Sequence, residues 1–131
     1  MILLDTHALL WWTDGAKELS ERVGLAIGKE QRGGELGVSA ISIWEICILV
    51  KAGRLVLRTD IDTWLADVMA IPNLEIVPID ADIAKAAVFL PNFPHKDPAD
   101  RIIVATAMRL DVAVVTGDTK IREYHRVKTI W

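Results

Sequence analysis

Four carboxylates in this chain stand where an α/β protein gathers its chemistry. Asp5 closes the apolar run Ile2-Leu3-Leu4, and Asp118 follows Val112-Ala113-Val114-Val115 by way of Thr116-Gly117. Glu45 and Asp100 sit near the starts of helical stretches, the first soon after the apolar segment around Leu36-Gly37-Val38. Short, wholly apolar runs read as central strands covered on both faces, and ligands of open α/β sheets bind beyond the strands' carboxyl ends. Carboxylates brought close together repel, so such a cluster survives only when protons, basic side chains or cations neutralise it. Hard oxygen ligands without histidine or thiolate partners suit magnesium or manganese. Two such ions would orient and activate a water and stabilise the leaving oxygen of an in-line phosphodiester displacement. An acidic pocket can then accept an acidic polymer.

Glu45 and Asp100 also have plain structural explanations. In His95-Lys96-Asp97-Pro98-Ala99-Asp100, Pro98 fits the first position of a helix, Asp97 its cap and Asp100 the third position, where a carboxylate favours the positive end of the helix dipole. Ser42-Ile43-Trp44-Glu45 matches a capping box, in which the glutamate bonds back to the cap's amide. The case for chemistry therefore rests on all four acids meeting at one edge.

The elements that must position them alternate. Residues 2–4, 35–38, 74–79, 112–116 and 127–130 read as strands. Helical patterns fall near 8–12, 17–31, 39–52, 61–69, 80–89 and 98–110, with Asp14-Gly15 and Gly33-Gly34 as stops. Pro78 demotes the third strand toward an edge or ends it. The alternation predicts an α/β fold, a mainly parallel central sheet with helices on both faces, forming one domain over 1–131. Cys47, Trp44 and Trp64 are expected in the core, since one cysteine makes no internal disulfide and sits among apolar neighbours.

Composition narrows the class. With 52% apolar and 25% charged residues the chain reads as globular, and its net charge of −3 argues against bulk electrostatic binding to a polyanion. Beyond Asp118 the tail is locally basic, with Lys120, Arg122, Arg126 and Lys128 against Glu123 alone. No apolar run reaches membrane-spanning length and the N-terminus lacks a secretory pattern, so no membrane association and a cytoplasmic location are expected.

Four blocks, taken in order, resemble a known family. Asp5-Thr6-His7-Ala8-Leu9-Leu10-Trp11-Trp12, Ser39-Ala40-Ile41-Ser42-Ile43-Trp44-Glu45-Ile46, His95-Lys96-Asp97-Pro98-Ala99-Asp100-Arg101 and Thr116-Gly117-Asp118 are similar to the successive blocks of a PIN-domain nuclease of the VapC type, the toxin of a VapBC toxin–antitoxin pair. The resemblance covers essentially the whole chain. It implies that Asp5, Glu45, Asp100 and Asp118 bind metal, and that RNA is cleaved with Mg2+ or Mn2+. It further implies a VapB-type antitoxin that occupies and silences the cleft. Thr116 matches a position whose hydroxyl supports the site. No further acid follows Asp118 until Glu123, which disfavours a fifth ligand there.

Other residues near these blocks carry lesser expectations. His7 reads as a hydrogen-bonded structural histidine and His95 as a solvated loop residue. Arg101 reads as an ion-paired or solvated side chain, with contact to the RNA backbone as the alternative, and Lys120 and Arg122 are candidates to position phosphates. Trp11 and Trp12, beside Leu9 and Leu10, exceed what one short helix can bury, which points to a homodimer or an antitoxin groove. The rival readings are other phosphoryl-transfer enzymes and a catalytically silent PIN scaffold that binds RNA or protein. The haloacid-dehalogenase pattern wants an aspartate two residues after the first, where this chain has His7. A receiver domain wants its aspartate after a middle strand, where this chain has Pro78-Ile79-Asp80.

Overall fold

The computed structural model describes residues 1–131 as five parallel strands and seven helices. The strands are β1 (Ile2–Leu4), β2 (Leu36–Ser39), β3 (Leu74–Val77), β4 (Ala113–Val115) and β5 (Thr129–Ile130). They lie in the order β3-β2-β1-β4-β5, every neighbouring pair parallel. The helices are α1 (Thr6–Asp14), α2 (Glu21–Gly33), α3 (Ala40–Lys51), α4 (Ile61–Met69), α5 (Ala81–Val88), α6 (Pro98–Leu110) and α7 (Thr119–Arg122). No helix is long and apolar enough to cross a membrane.

Alternation along the central strands supplies two cores. Ile2 and Leu4 of β1, with Val115 of β4, face one side and pack with Ala8 and Leu9 of α1, Val23 and Ile27 of α2, and Trp64 and Val68 of α4. Leu3 and Val114 face the other, against Ile103 and Ala107 of α6. A side-chain period of two on strands buried from both sides explains why β1 and β4 are apolar throughout. A third cluster joins α5, α6 and α7 through Ile83, Ala87, Phe93, Val104, Ile121 and Tyr124. β3, the strand that ends before Pro78, is an edge strand as expected.

Local chemistry shifts several expected boundaries. α2 begins at Glu21 rather than near Lys17, because the Ser20 hydroxyl accepts from Val23 N–H and caps the helix there. Residues before it stay tied to α1, whose end is closed by Gly15 at φ 64. α3 is capped by Ser39, not Ser42, so the expected capping box does not form. Because α3 is apolar nearly all round, its outward side is left in solvent: Trp44 is 58% exposed and Cys47 half-buried, against the core places expected of both. Trp64 does lie in the core.

Candidate metal centre

The strand order puts the carboxyl ends of β1 and β4 side by side. From β1 the chain moves outward through β2 to β3, then returns to β4 on the other side, so the β1/β4 junction is the topological switch point where a crevice opens. The register pairs Leu4 with Val115, and Asp5 N–H donates to Val115 O at 3.1 Å. Asp5 and Thr116 therefore leave adjacent strands together.

Thr116 links two of the acids. Its buried Oγ1 accepts from Asp118 N–H at 3.0 Å, and its hydroxyl is the side-chain partner of the Asp5 carboxylate. Asp5, only 7% exposed, caps α1 by accepting from Ala8 N–H at 2.7 Å. Burial pushes its pKa above the usual carboxylate value and the charge of Asp118 pushes the same way, while the Thr116 and Ala8 hydrogen bonds oppose both.

Asp118 caps α7, accepting from Lys120 N–H at 2.8 Å and Ile121 N–H at 3.3 Å. His95 Nε2 lies 3.1 and 3.0 Å from its two oxygens. Partial burial pushes the Asp118 pKa up, but His95 and the α7 amides outweigh it and hold it below the ordinary value. His95 Nε2 is also 3.6 Å from Asp100 Oδ2. One ligand atom each from His95, Asp100 and Asp118 lies within 4.8 Å of the others. His95 is thus not the solvated loop residue expected but, at 17% side-chain exposure, part of the acidic centre. Nothing in the local sequence signals this, because Asp118 lies 23 residues further on.

Asp100 carries the largest perturbation. Its pKa is raised to about 6 by burial first, then by Asp97, Asp118 and Glu45, with His95 as the one opposing charge. Asp97 does cap α6, with Pro98 following, and accepts from Ala99 N–H at 2.8 Å. Glu45, half-buried on α3, is close enough to add repulsion at Asp100. The tight group is therefore His95, Asp100 and Asp118, with Asp5 coupled to it through Asp118 and Glu45 through Asp100. A link that sequence reasoning missed joins α1 to α3: Thr6 Oγ1 donates to Ser42 Oγ at 3.0 Å, both buried. It fastens the helix capped by Asp5 to the helix that bears Glu45, and Ser42 is free for it because it is not the cap.

The donor set fits a divalent cation. Several carboxylates, two of them pushed up by burial, crowd around one imidazole. A hard cation relieves that repulsion, and imidazole remains compatible with manganese.

The flanking basic residues divide. Lys120 and Arg122 are exposed on α7. Arg101 has no ion pair; its Nη1 donates to Ala87 O at 2.9 Å and its guanidinium lies 5.8 Å from the Phe93 ring centre, which ties α6 to α5. His7 is exposed and makes no hydrogen bond of the kind expected, its ring lying 5.6 Å from Trp11 instead. Trp11 and Trp12 are half-buried and line a groove of about 1020 Å³ with Leu55, Leu57, Trp64 and Arg58.

Comparison with known proteins bears on the family and the fold. Residues 2–127 match the PIN domain family. Ribonuclease VapC22 of Mycobacterium tuberculosis is 34% identical over 132 aligned residues, covering 99% of this chain and 98% of its own. Among solved structures, VapBC2 from Rickettsia felis bound to a promoter DNA fragment superposes with a TM-score of 0.72 at 14% identity, covering 99% of this chain and 98% of the other. A toxin–antitoxin complex from Klebsiella pneumoniae gives 0.69 at 20% identity, covering 100% and 97%. The two structures speak for the fold, and the matched family and relative, spanning nearly every residue from β1 to β5, establish that this chain belongs to the PIN-domain family, in its VapC branch.

Proposed function

We propose that the chain is a divalent-metal-dependent endoribonuclease and the toxin of a toxin–antitoxin pair. The observation that carries this reading is the acidic centre at the β1/β4 switch point, where His95, Asp100 and Asp118 converge beside buried Asp5. The ribonuclease name of the relative at 34% identity supports RNA as the substrate. Asp5, Glu45, Asp100 and Asp118 would hold Mg2+ or Mn2+, which when bound supplies an activated water and charge stabilisation for phosphodiester hydrolysis. Thr116 orients Asp5 and the Asp118 backbone at once, as groups behind metal ligands commonly do. Lys120 and Arg122, exposed on the helix that Asp118 caps, place cations where the RNA backbone would enter. In a cytoplasmic setting, the groove bearing Trp11 and Trp12 takes an amphipathic segment of a VapB-type antitoxin, and the exposed Trp44 and Ile48 on α3 offer a face for a homodimer.

The test is direct. Inhibitor-free protein should cut RNA only with Mg2+ or Mn2+, leaving a 5′ phosphate, and Asp5→Asn or Asp100→Asn should abolish cutting. Cleavage that continues undiminished in chelator would defeat the metal reading. RNA binding without turnover under every divalent ion would favour the silent scaffold. Co-purification with the product of a small adjacent reading frame, lost on Trp11→Ala and Trp12→Ala together, tests the groove.

A further inference from the structure

A second cavity, of about 390 Å³, lies beside the acidic centre and shares Lys120 with its basic flank. One wall is the loop carrying Pro91 and Pro94, and the other is Lys120, Tyr124, His125 and Arg126. Both walls run directly into the centre. Pro94 precedes His95, and the Lys120 backbone amide donates to Asp118 Oδ1 at 2.8 Å. The floor is rigid: Tyr124 is buried, its hydroxyl donates to Pro91 O at 2.8 Å, and Phe93 packs against both Tyr124 and His95 at ring distances of 4.9 and 5.7 Å.

The charge of this cavity is opposite to that of its neighbour. Lys120 and Arg126 are exposed cations, and Glu123 is the one acid on the rim. The space suits one nucleotide, being near the lower end of the range for small-molecule sites. We infer that this cavity binds the nucleotide flanking the scissile phosphate, its own phosphate on Lys120 and Arg126 and its sugar and base against the Pro91–Tyr124–His125 wall. Arg122 lies outside the lining, so α7 contributes through Lys120. This rests on the ribonuclease reading and adds a subsite that sets the register of the strand over the acids.

The experiment measures binding of a short single-stranded RNA in Ca2+, across a salt series, for the wild-type chain and for Lys120→Ala/Arg126→Ala. Removing both cations from the one phosphate they share should flatten the slope of log affinity against log salt by about 0.7 and weaken binding at ~0.1 M salt about fivefold. Arg22→Ala, which removes an exposed cation on α2, should leave both unchanged. Equal thermal stabilisation of both chains by Mn2+ shows that the acidic centre is intact, and under steady-state cleavage the double variant should raise KM far more than it lowers kcat. An unchanged salt slope and affinity in the double variant, with the wild type binding well, overturns the subsite and leaves the nuclease reading standing. A wild type that binds no RNA at all overturns both.

Discussion

Replacing Asp100 with asparagine should make the metal-free protein more stable while removing its response to metal. A pKa raised from 3.8 to about 6 means that the folded state resists ionising this carboxyl, at a cost of ~3 kcal/mol once the pH exceeds both values. The penalty is absent well below the unfolded value, grows as pH rises from about 4 to 6, and is constant above that. Asparagine keeps the shape and drops the charge. It loses the favourable position of a carboxylate in the first turn of α6, worth ~0.3–1 kcal/mol. With the side chain 24% exposed, a net gain of ~1–2 kcal/mol at pH 7.5 is expected. For a chain of this size that corresponds to a rise in Tm of ~3–8 °C. Thermal unfolding followed by circular dichroism in chelator reads it, and repetition at pH 4 should erase the difference. In millimolar Mn2+ the order should reverse, because the wild type gains stability by binding and the variant does not. A variant that melts at or below the wild type in chelator at pH 7.5 would show that Asp100 is not held at an electrostatic cost, and the case for a repulsion-driven metal site would fail with it.

Three other outcomes follow from the same geometry. Stabilisation of the wild type by Mg2+ should be clearly smaller at pH 5.5 than at 7.5, since Asp100, with its pKa raised to about 6, is mostly protonated at the lower pH; equal shifts at both would contradict that placement. Thr116→Val should cost ~10–100-fold in metal affinity or cleavage, because Asp5 and the Asp118 amide lose one shared partner, and a metal titration of cleavage that matches the wild type would deny Thr116 this role. A methyl group on Gly117 would sit 2.9 Å from the Trp131 indole, so Gly117→Ala should destabilise by ~1–3 kcal/mol, and denaturant melts of the cycle with Trp131→Leu should show that the smaller partner restores most of the loss.

Much of this protein was legible in its amino-acid order. Apolar runs ending in Asp5 and Thr116-Gly117-Asp118 placed two acids at strand ends, and Asp97-Pro98 set the start of α6 so that Asp100 had to fall in its first turn. These readings succeed because strand burial, capping and proline geometry act over a few residues. What lay beyond reach depended on packing between distant segments. Ser39 caps α3 while Ser42, a turn further on, meets Thr6, 36 positions away. Trp44 lies in solvent because α3 has more apolar surface than two cores can cover, and which side is left out depends on where α1 and α6 sit. His95 joins the acids because the loop before α6 folds toward a turn that ends β4, and no local pattern marks a histidine as near a carboxylate 23 residues on. Local chemistry chose the elements and the acids; the parallel strand order, which tertiary packing alone decides, brought their ends to one edge and set the distances between them.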